Sequence, residues 1–258
     1  MTSGKTLILG GTADARQLAF LLENEGYEVL LTLAGVTRSP RDQGVPVRIG
    51  GFGGAAGLAR YLREHRFDLL IDATHPYAAR ISANAVEAAG RANLPIIALR
   101  RAAWESQKGD DWHDVPDLTS ALSALGTQPK RIFVALGRKE IAELSDAAHH
   151  HYVIRSVDPI DAANAPPKRH EIRGRGPFPI EAERELLRHQ QIDAIICKNS
   201  GGSSAAAKLH AARELGLPVF MLVRPTLPEV PSASTPDETL KLTTTVLAFQ
   251  TQTHGHRE

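Results

Sequence analysis

The chain opens on a glycine turn between an apolar run and a helical pattern. Residues Lys5 to Gly11 read KTLILGG, and Thr12-Ala13-Asp14-Ala15-Arg16 follows directly. A short apolar run bounded by glycine is the pattern of a buried parallel strand. Leu18, Leu21 and Leu22 then recur at helical spacing. A strand that enters a glycine turn and leaves as a helix aims backbone N–H groups and the positive end of the helix dipole at one point. A phosphate or pyrophosphate fits there. Gly10, Gly11, Thr12 and Ala13 are the candidate contacts. The turn departs from the usual dinucleotide fingerprint. Gly10 takes the first glycine position, but Thr12 stands at the third and Ala15 at the sixth. A tight turn without a ligand is the competing reading.

Composition narrows the class. The chain has 258 residues, 42% hydrophobic and 23% charged, with formal charge +1. That is enough for one large domain or two smaller ones. A near-zero net charge gives no support for nucleic-acid binding. The single Cys197 leaves no internal disulfide and no cysteine-based metal cage. His149-His150-His151 are sequence neighbours that share no face, so a solvated turn is expected there and no metal site. No stretch approaches membrane-spanning length, and the N-terminus lacks a secretory pattern. The expectation is a cytoplasmic enzyme or binding protein, with no membrane partner, monomeric or weakly self-associating.

Strand and helix patterns alternate along the chain. Strands are expected at Thr6–Leu9, Glu28–Leu33, Val45–Ile49, Leu69–Asp72, Ile96–Leu99, Ile132–Leu136, Tyr152–Arg155, Ala194–Cys197 and Val219–Leu222. Helices are expected at Gly57–Glu64, Ala79–Ala92, Ile180–His189 and Ser203–Leu215. The run Arg101–Asp114 reads as a polar break, and Pro225–Pro236 as a proline-rich surface loop. Thr235-Pro236-Asp237-Glu238 opens a last helix with a cap, proline at the first helical position and acids in the first turn.

The two halves resemble each other. Phe67–Arg101 and Ile192–Arg224 both read strand, polar turn, alanine-rich helix, Leu-Pro, strand, arginine. Asp68 matches Asp193, Pro95 matches Pro218 and Arg101 matches Arg224. This implies an α/β protein of two Rossmann-like doubly wound domains, with mainly parallel sheets facing across a cleft. The expected division is 1–100 for cofactor and 101–258 for substrate, the last helix included. The long connections near Arg101 and Pro225 leave room for strand exchange between the domains.

Carboxyl ends of parallel strands point at the ligand. The other turns expected at the site are Gly50-Gly51-Phe52-Gly53-Gly54, Asp72-Ala73-Thr74-His75-Pro76, Gly137-Arg138-Lys139 and Lys198-Asn199-Ser200-Gly201-Gly202. After the second strand, an NAD site carries an acid for the ribose 2′-hydroxyl. This chain has Thr37 and Arg38 there instead, which suit a 2′-phosphate and favour NADP over NAD. An exposed loop arginine is the alternative reading of Arg38.

The runs LILGGTADAR, GGFGG, DATHPYAARISANA, GPFPIEAE and KNSGG, in this order, resemble the precorrin-6A reductase family of cobalamin biosynthesis. The resemblance covers about Leu7 to Pro225. It implies an NADPH-dependent enzyme that reduces one carbon–carbon double bond beside ring D of precorrin-6A, giving precorrin-6B. It also implies a carboxylate-fringed macrocycle as substrate, for which Arg16, Arg80, Arg138, Lys139, Lys198, Ser200, Gly201 and Gly202 are candidate contacts. His75 and Tyr77 lie in a turn of the site and are the candidates to donate the proton or orient water, unless the acidity of the conjugated substrate suffices. A nucleotide-sugar glycosyltransferase and a non-catalytic NADP-binding regulator are the other readings of two such domains.

Overall fold

Leu7, Ile8 and Leu9 are all buried, yet they serve two different cores, because side chains alternate along a strand. The computed structural model, which describes residues 4–35, 42–138 and 140–254, divides the chain into two compact units. Unit 1 comprises 1–102 and 225–258, and unit 2 comprises 103–224. The segment after residue 224, expected in the second domain, returns to the first.

Unit 1 contains β1 (Lys5–Leu9), α1 (Ala13–Asn24), β2 (Glu28–Leu33), β3 (Val47–Ile49), α2 (Gly54–Glu64), β4 (Leu69–Asp72), α3 (Ala79–Ala92) and β5 (Ile96–Leu99). On one face of its sheet, Ile8, Leu31, Leu69 and Ile71 pack with Leu18 and Leu22 of α1. On the other, Leu7, Leu9 and Leu70 pack with Leu58 and Leu62 of α2 and Ala85 and Ala89 of α3. Burial on both faces is the reason these strands read as continuous apolar runs.

Unit 2 contains β6 (Trp112–Val115), α4 (Leu118–Leu125), β7 (Arg131–Ala135), a 3-10 segment at Ile141–Ala147, β8 (His151–Ser156), β9 (Arg169–Arg173), α5 (Ile180–His189), β10 (Ala194–Lys198), α6 (Ala207–Leu215) and β11 (Val219–Leu222). The chain then returns to unit 1 with β12 (Ser232–Ala233) and α7 (Pro236–His254). Glu238 donates its amide to Thr235 Oγ1 at 3.2 Å, which caps α7 as its sequence requires. Leu247 of α7 joins the core beneath α1.

Among the described residues each sheet has six parallel strands, ordered β12-β5-β4-β1-β2-β3 and β6-β11-β10-β7-β8-β9. Counted within each half, both are the doubly wound order 3-2-1-4-5 with a sixth strand beside the fifth. The sixth strand is exchanged. β6 follows the first half but pairs with β11, and β12 follows the second half but pairs with β5. Internal repetition extends to single bonds. Asp68 Oδ2 accepts the Lys5 amide at 2.7 Å, and Asp193 Oδ2 accepts the Arg131 amide at 2.7 Å. In each half this carboxylate ties the start of the central strand to the loop before its neighbour.

Several local expectations change. The polar run Arg101–Asp114 contains the start of β6, and the proline-rich segment contains β12. β9, with sequence RHEIR, is an edge strand that lacks an apolar run. α6 begins at Ala207, not Ser203, after a turn at 204–206 that follows two glycines with positive φ, Gly201 and Gly202. His150 is fully buried, not solvated. It accepts the Lys130 amide on Nδ1 at 3.2 Å, and burial pushes its pKa down.

Candidate functional site

The β1–α1 turn is shaped by contact with β2. A side-chain carbon on Gly10 would stand 2.6 Å from Leu31 Cδ1 and 3.3 Å from the Thr32 carbonyl. Any side chain here would have to displace Leu31, and the Gly10 amide bonds the Thr32 carbonyl at 2.9 Å. Gly11 follows with φ +112°, a region that favours glycine. Thr12 caps α1: its hydroxyl accepts the Ala15 amide at 3.0 Å and donates to the Ala73 carbonyl at 3.2 Å. The Thr12 hydroxyl is therefore committed to the fold. The amides of Gly11, Thr12 and Ala13 have no hydrogen-bond partner among the described residues. They stand at the N-terminus of a 12-residue helix, where an anion is favoured. Arg16 lies half-buried in the first turns of α1.

The second turn follows β3. Arg48, which the sequence reading did not single out, donates to the Gly50 carbonyl at 2.7 Å and the Gly51 carbonyl at 3.1 Å. Its guanidinium lies 4.0 Å over the Phe52 ring, which packs in turn on Tyr61. A trans peptide directs N–H opposite to C=O. Carbonyls drawn to Arg48 thus turn the Gly51 and Phe52 amides away from it. Those amides and that of Gly53 have no partner among the described residues. The Phe52 side chain packs against the core, which leaves its backbone as the only part suited to contact a ligand. An arginine two residues before a glycine cluster, in a three-residue strand, was the available signal.

The third turn follows β4. Asp72 is 1% exposed, and its carboxylate takes Arg100 Nη2 at 2.5 Å, Thr74 Oγ1 at 2.7 Å and the Thr74 amide at 3.1 Å. Burial pushes this carboxyl up, but the hydrogen bond and charge of Arg100, with Ser82 and Thr74, outweigh it and hold it below the usual aspartate range. His75 Nδ1 accepts the Tyr77 amide at 3.3 Å, so a neutral ring carries its proton on Nε2. The two rings lie 5.6 Å apart. Arg80, in the first turn of α3, is exposed.

These turns share the carboxyl edge of one sheet. One pocket there brings together Thr12, Ala73, Thr74 and Pro76 with Asp14, Leu99, Arg100 and Arg101. Asp14 Oδ2 lies 3.1 Å from Arg101 Nε, so an acid in the first turn of α1 is matched by a cation. Asp14, Arg100 and Arg101 were absent from the expected site. Thr37 and Arg38 lie outside the described residues.

In unit 2, the Lys198–Gly202 turn is held from several directions. The Asn199 side chain accepts the Trp104 amide at 2.8 Å and donates to the Trp104 carbonyl at 2.9 Å. Trp104 Nε1 donates to the Gly202 carbonyl at 2.8 Å, and Arg224 Nε to the Asn199 carbonyl at 2.7 Å. Beneath the turn, Lys208 Nζ bonds the Ala205 carbonyl at 2.6 Å and lies 4.7 Å over the Trp104 ring, and burial pushes its ammonium below the usual lysine range. The Ser200 amide bonds the Lys198 carbonyl at 2.9 Å. Lys198 Nζ meets Glu140 Oε1 at 2.5 Å, and Arg138 meets Asp158 at 2.7 Å. Both expected cations thus have acidic partners within the chain. Lys139 lies outside the described residues. Cys197 is fully buried, and burial pushes its thiol up, which suits a small core residue.

The comparisons agree with this architecture. A family model described as precorrin-6x reductase CbiJ/CobK matches residues 5–244. A precorrin-6A reductase of Sinorhizobium sp. is 47% identical over 241 residues, covering 93% of this chain and 92% of that protein. A precorrin-6A reductase of Rhodobacter capsulatus is 45% identical over 224 residues, covering 87% and 89%. A solved structure of a CobK precorrin-6A reductase superposes with a TM-score of 0.91 at 42% identity, covering 94% of this chain and 97% of that one. Matched from its first strand into its last helix, and at this identity, the chain belongs to the precorrin-6x reductase family and is an oxidoreductase.

Proposed function

We propose that this protein reduces precorrin-6A with NADPH, giving precorrin-6B in cobalamin biosynthesis. The observation that carries the cofactor half is the set of unpartnered amides at Gly11, Thr12 and Ala13 before α1. They suit a pyrophosphate, and the Gly50–Gly53 turn suits the adjoining ribose. The sequence after β2 has no acid from Leu33 to Ser39 and has Thr37 and Arg38, which supports NADPH over NADH.

When bound, NADPH supplies a hydride, and the net reduction also consumes one proton. The residues of the chain hold, orient and exclude. Thr12 and Ala73 fix the pyrophosphate turn against the β4 turn through their 3.2 Å bond. Asp72 and Arg100 brace the β4 turn beneath His75. The Nε2–H of a neutral His75 is a donor placed to deliver or relay the proton, with Tyr77 beside it. Proton delivery from the conjugated substrate itself is the competing route. Arg16, Arg80, Arg138, Lys139 and the Lys198–Gly202 turn are assigned to the carboxylate fringe of the macrocycle.

The test is NADPH oxidation followed by absorbance with precorrin-6A supplied, together with product mass. Stoichiometric oxidation and a product two hydrogens heavier are expected. NADPH binding without oxidation would reduce the protein to a binding module. Absence of NADPH binding would remove the cofactor assignment.

A further inference from the structure

The two halves repeat one plan, but their first turns differ. In unit 1 the turn after β1 is open, and a side-chain carbon on Gly11 would meet nothing within 4 Å. In unit 2 the corresponding turn after β7 is filled. Glu140 Oε2 lies 2.8 Å from where a side-chain carbon on Gly137 would stand, and Lys198 Nζ lies 3.8 Å from the same point. The α-helix that follows the turn in unit 1 is replaced here by the 3-10 segment at Ile141–Ala147.

Glu140 is bound on one side only. Oε1 pairs with Lys198 Nζ at 2.5 Å, while Oε2 is buried and has no hydrogen-bond partner among the described residues. A carboxylate oxygen buried without a donor is costly, and that cost is relieved if the group returns to water. The side chain is 25% exposed, so it has a route to solvent.

We infer that Glu140 stands in for a ligand carboxylate, and that Lys198 is an exchangeable carboxylate site from which an acetate or propionate of the substrate displaces it. Exchanging one carboxylate for another keeps the half-buried Lys198 ammonium paired and frees Glu140 to recover its hydration. The inference rests on the assignment of the Lys198 turn to the macrocycle.

The test is equilibrium binding of uroporphyrin I, a flat macrocycle fringed by acetates and propionates, read by fluorescence without turnover. Glu140→Gln and Glu140→Ala both remove the internal competitor, and thermal melts check that each folds. Tighter binding is expected, by about threefold to tenfold, and Lys198→Met should weaken binding by a similar factor. In the Lys198→Met background, Glu140→Gln should change affinity by less than about twofold, since the competitor then has nothing to compete for. Steady-state kinetics with precorrin-6A should show the same order in KM, with NADPH affinity held within about twofold. Unchanged or weaker binding in both Glu140 variants, or an equal Glu140 effect with and without Lys198, overturns the inference. A wild-type protein with this binding pattern but no NADPH oxidation would overturn the reductase assignment and leave the exchange site standing.

Discussion

Arg100 and Asp72 form an ion pair of 2.5 Å at the carboxyl ends of neighbouring strands β5 and β4, with Asp72 1% exposed and Arg100 19% exposed. Asp72 also accepts from both the amide and the hydroxyl of Thr74, so the pair fixes the shape of the turn that carries His75. Removing Arg100 would leave a buried carboxylate without its cation. Arg100→Ala is expected to cost about 3–5 kcal/mol, read by urea unfolding. A loss below about 1 kcal/mol would mean that Asp72 finds water or another donor.

Acid should lower the stability of the protein over two pH ranges. His150 is buried with a lowered pKa, by burial first and then by His149 and Lys130, and its Nε2 has no partner among the described residues. Below the ordinary histidine value of 6.5 the unfolded chain takes up this proton and the folded chain resists it, so stability falls as pH falls. Asp72 acts lower. Its contribution is complete above the ordinary value of 3.8 and is lost as pH drops through its depressed folded value. Urea midpoints across pH should decline first below about 6.5, and His150→Gln should remove that first decline only. An unaltered profile in the variant would assign the decline to other groups.

Arg48 should govern cofactor affinity without touching the core strands. Arg48→Ala frees the Gly50 and Gly51 carbonyls and should weaken NADPH by about 1.5–3 kcal/mol, the range for hydrogen bonds to charged groups. Arg48→Lys should recover only part of this, because an ammonium cannot span two carbonyls and stack on Phe52 as a planar guanidinium does. Fluorescence titration reads both. Full recovery in the lysine variant would show that charge alone matters.

We propose that Arg38 sets the choice between NADPH and NADH. Arg38→Ala should weaken NADPH by about 1.5–3 kcal/mol and leave NADH nearly unchanged, as expected for a guanidinium on a 2′-phosphate. Equal losses for both cofactors would move the residue to the shared pyrophosphate or to the fold.

Local chemistry made much of this protein legible from its amino-acid order. The runs EVLLTL, LLID and IIAL coincide with β2, β4 and β5, because strands buried on both faces need uninterrupted apolar residues. α3 and α5 begin and end where their patterns do. The glycine turn before α1 also belongs to this level, since it depends on residues close in sequence, and the repeat between halves is legible because each copy is itself a local pattern. Tertiary structure decided the rest. β6 and β12 are four and two residues long with no apolar run, so only the vacant edge beside β11 or β5 makes them strands. The partner of Lys198 is 58 residues away in Glu140, and the clamp on Asn199 is 95 residues away in Trp104. A sequence shows that a cation is present near a site. Whether it is already paired depends on which distant carboxylate the fold brings within reach, because the desolvation of a half-buried charge is offset only by a partner at contact distance.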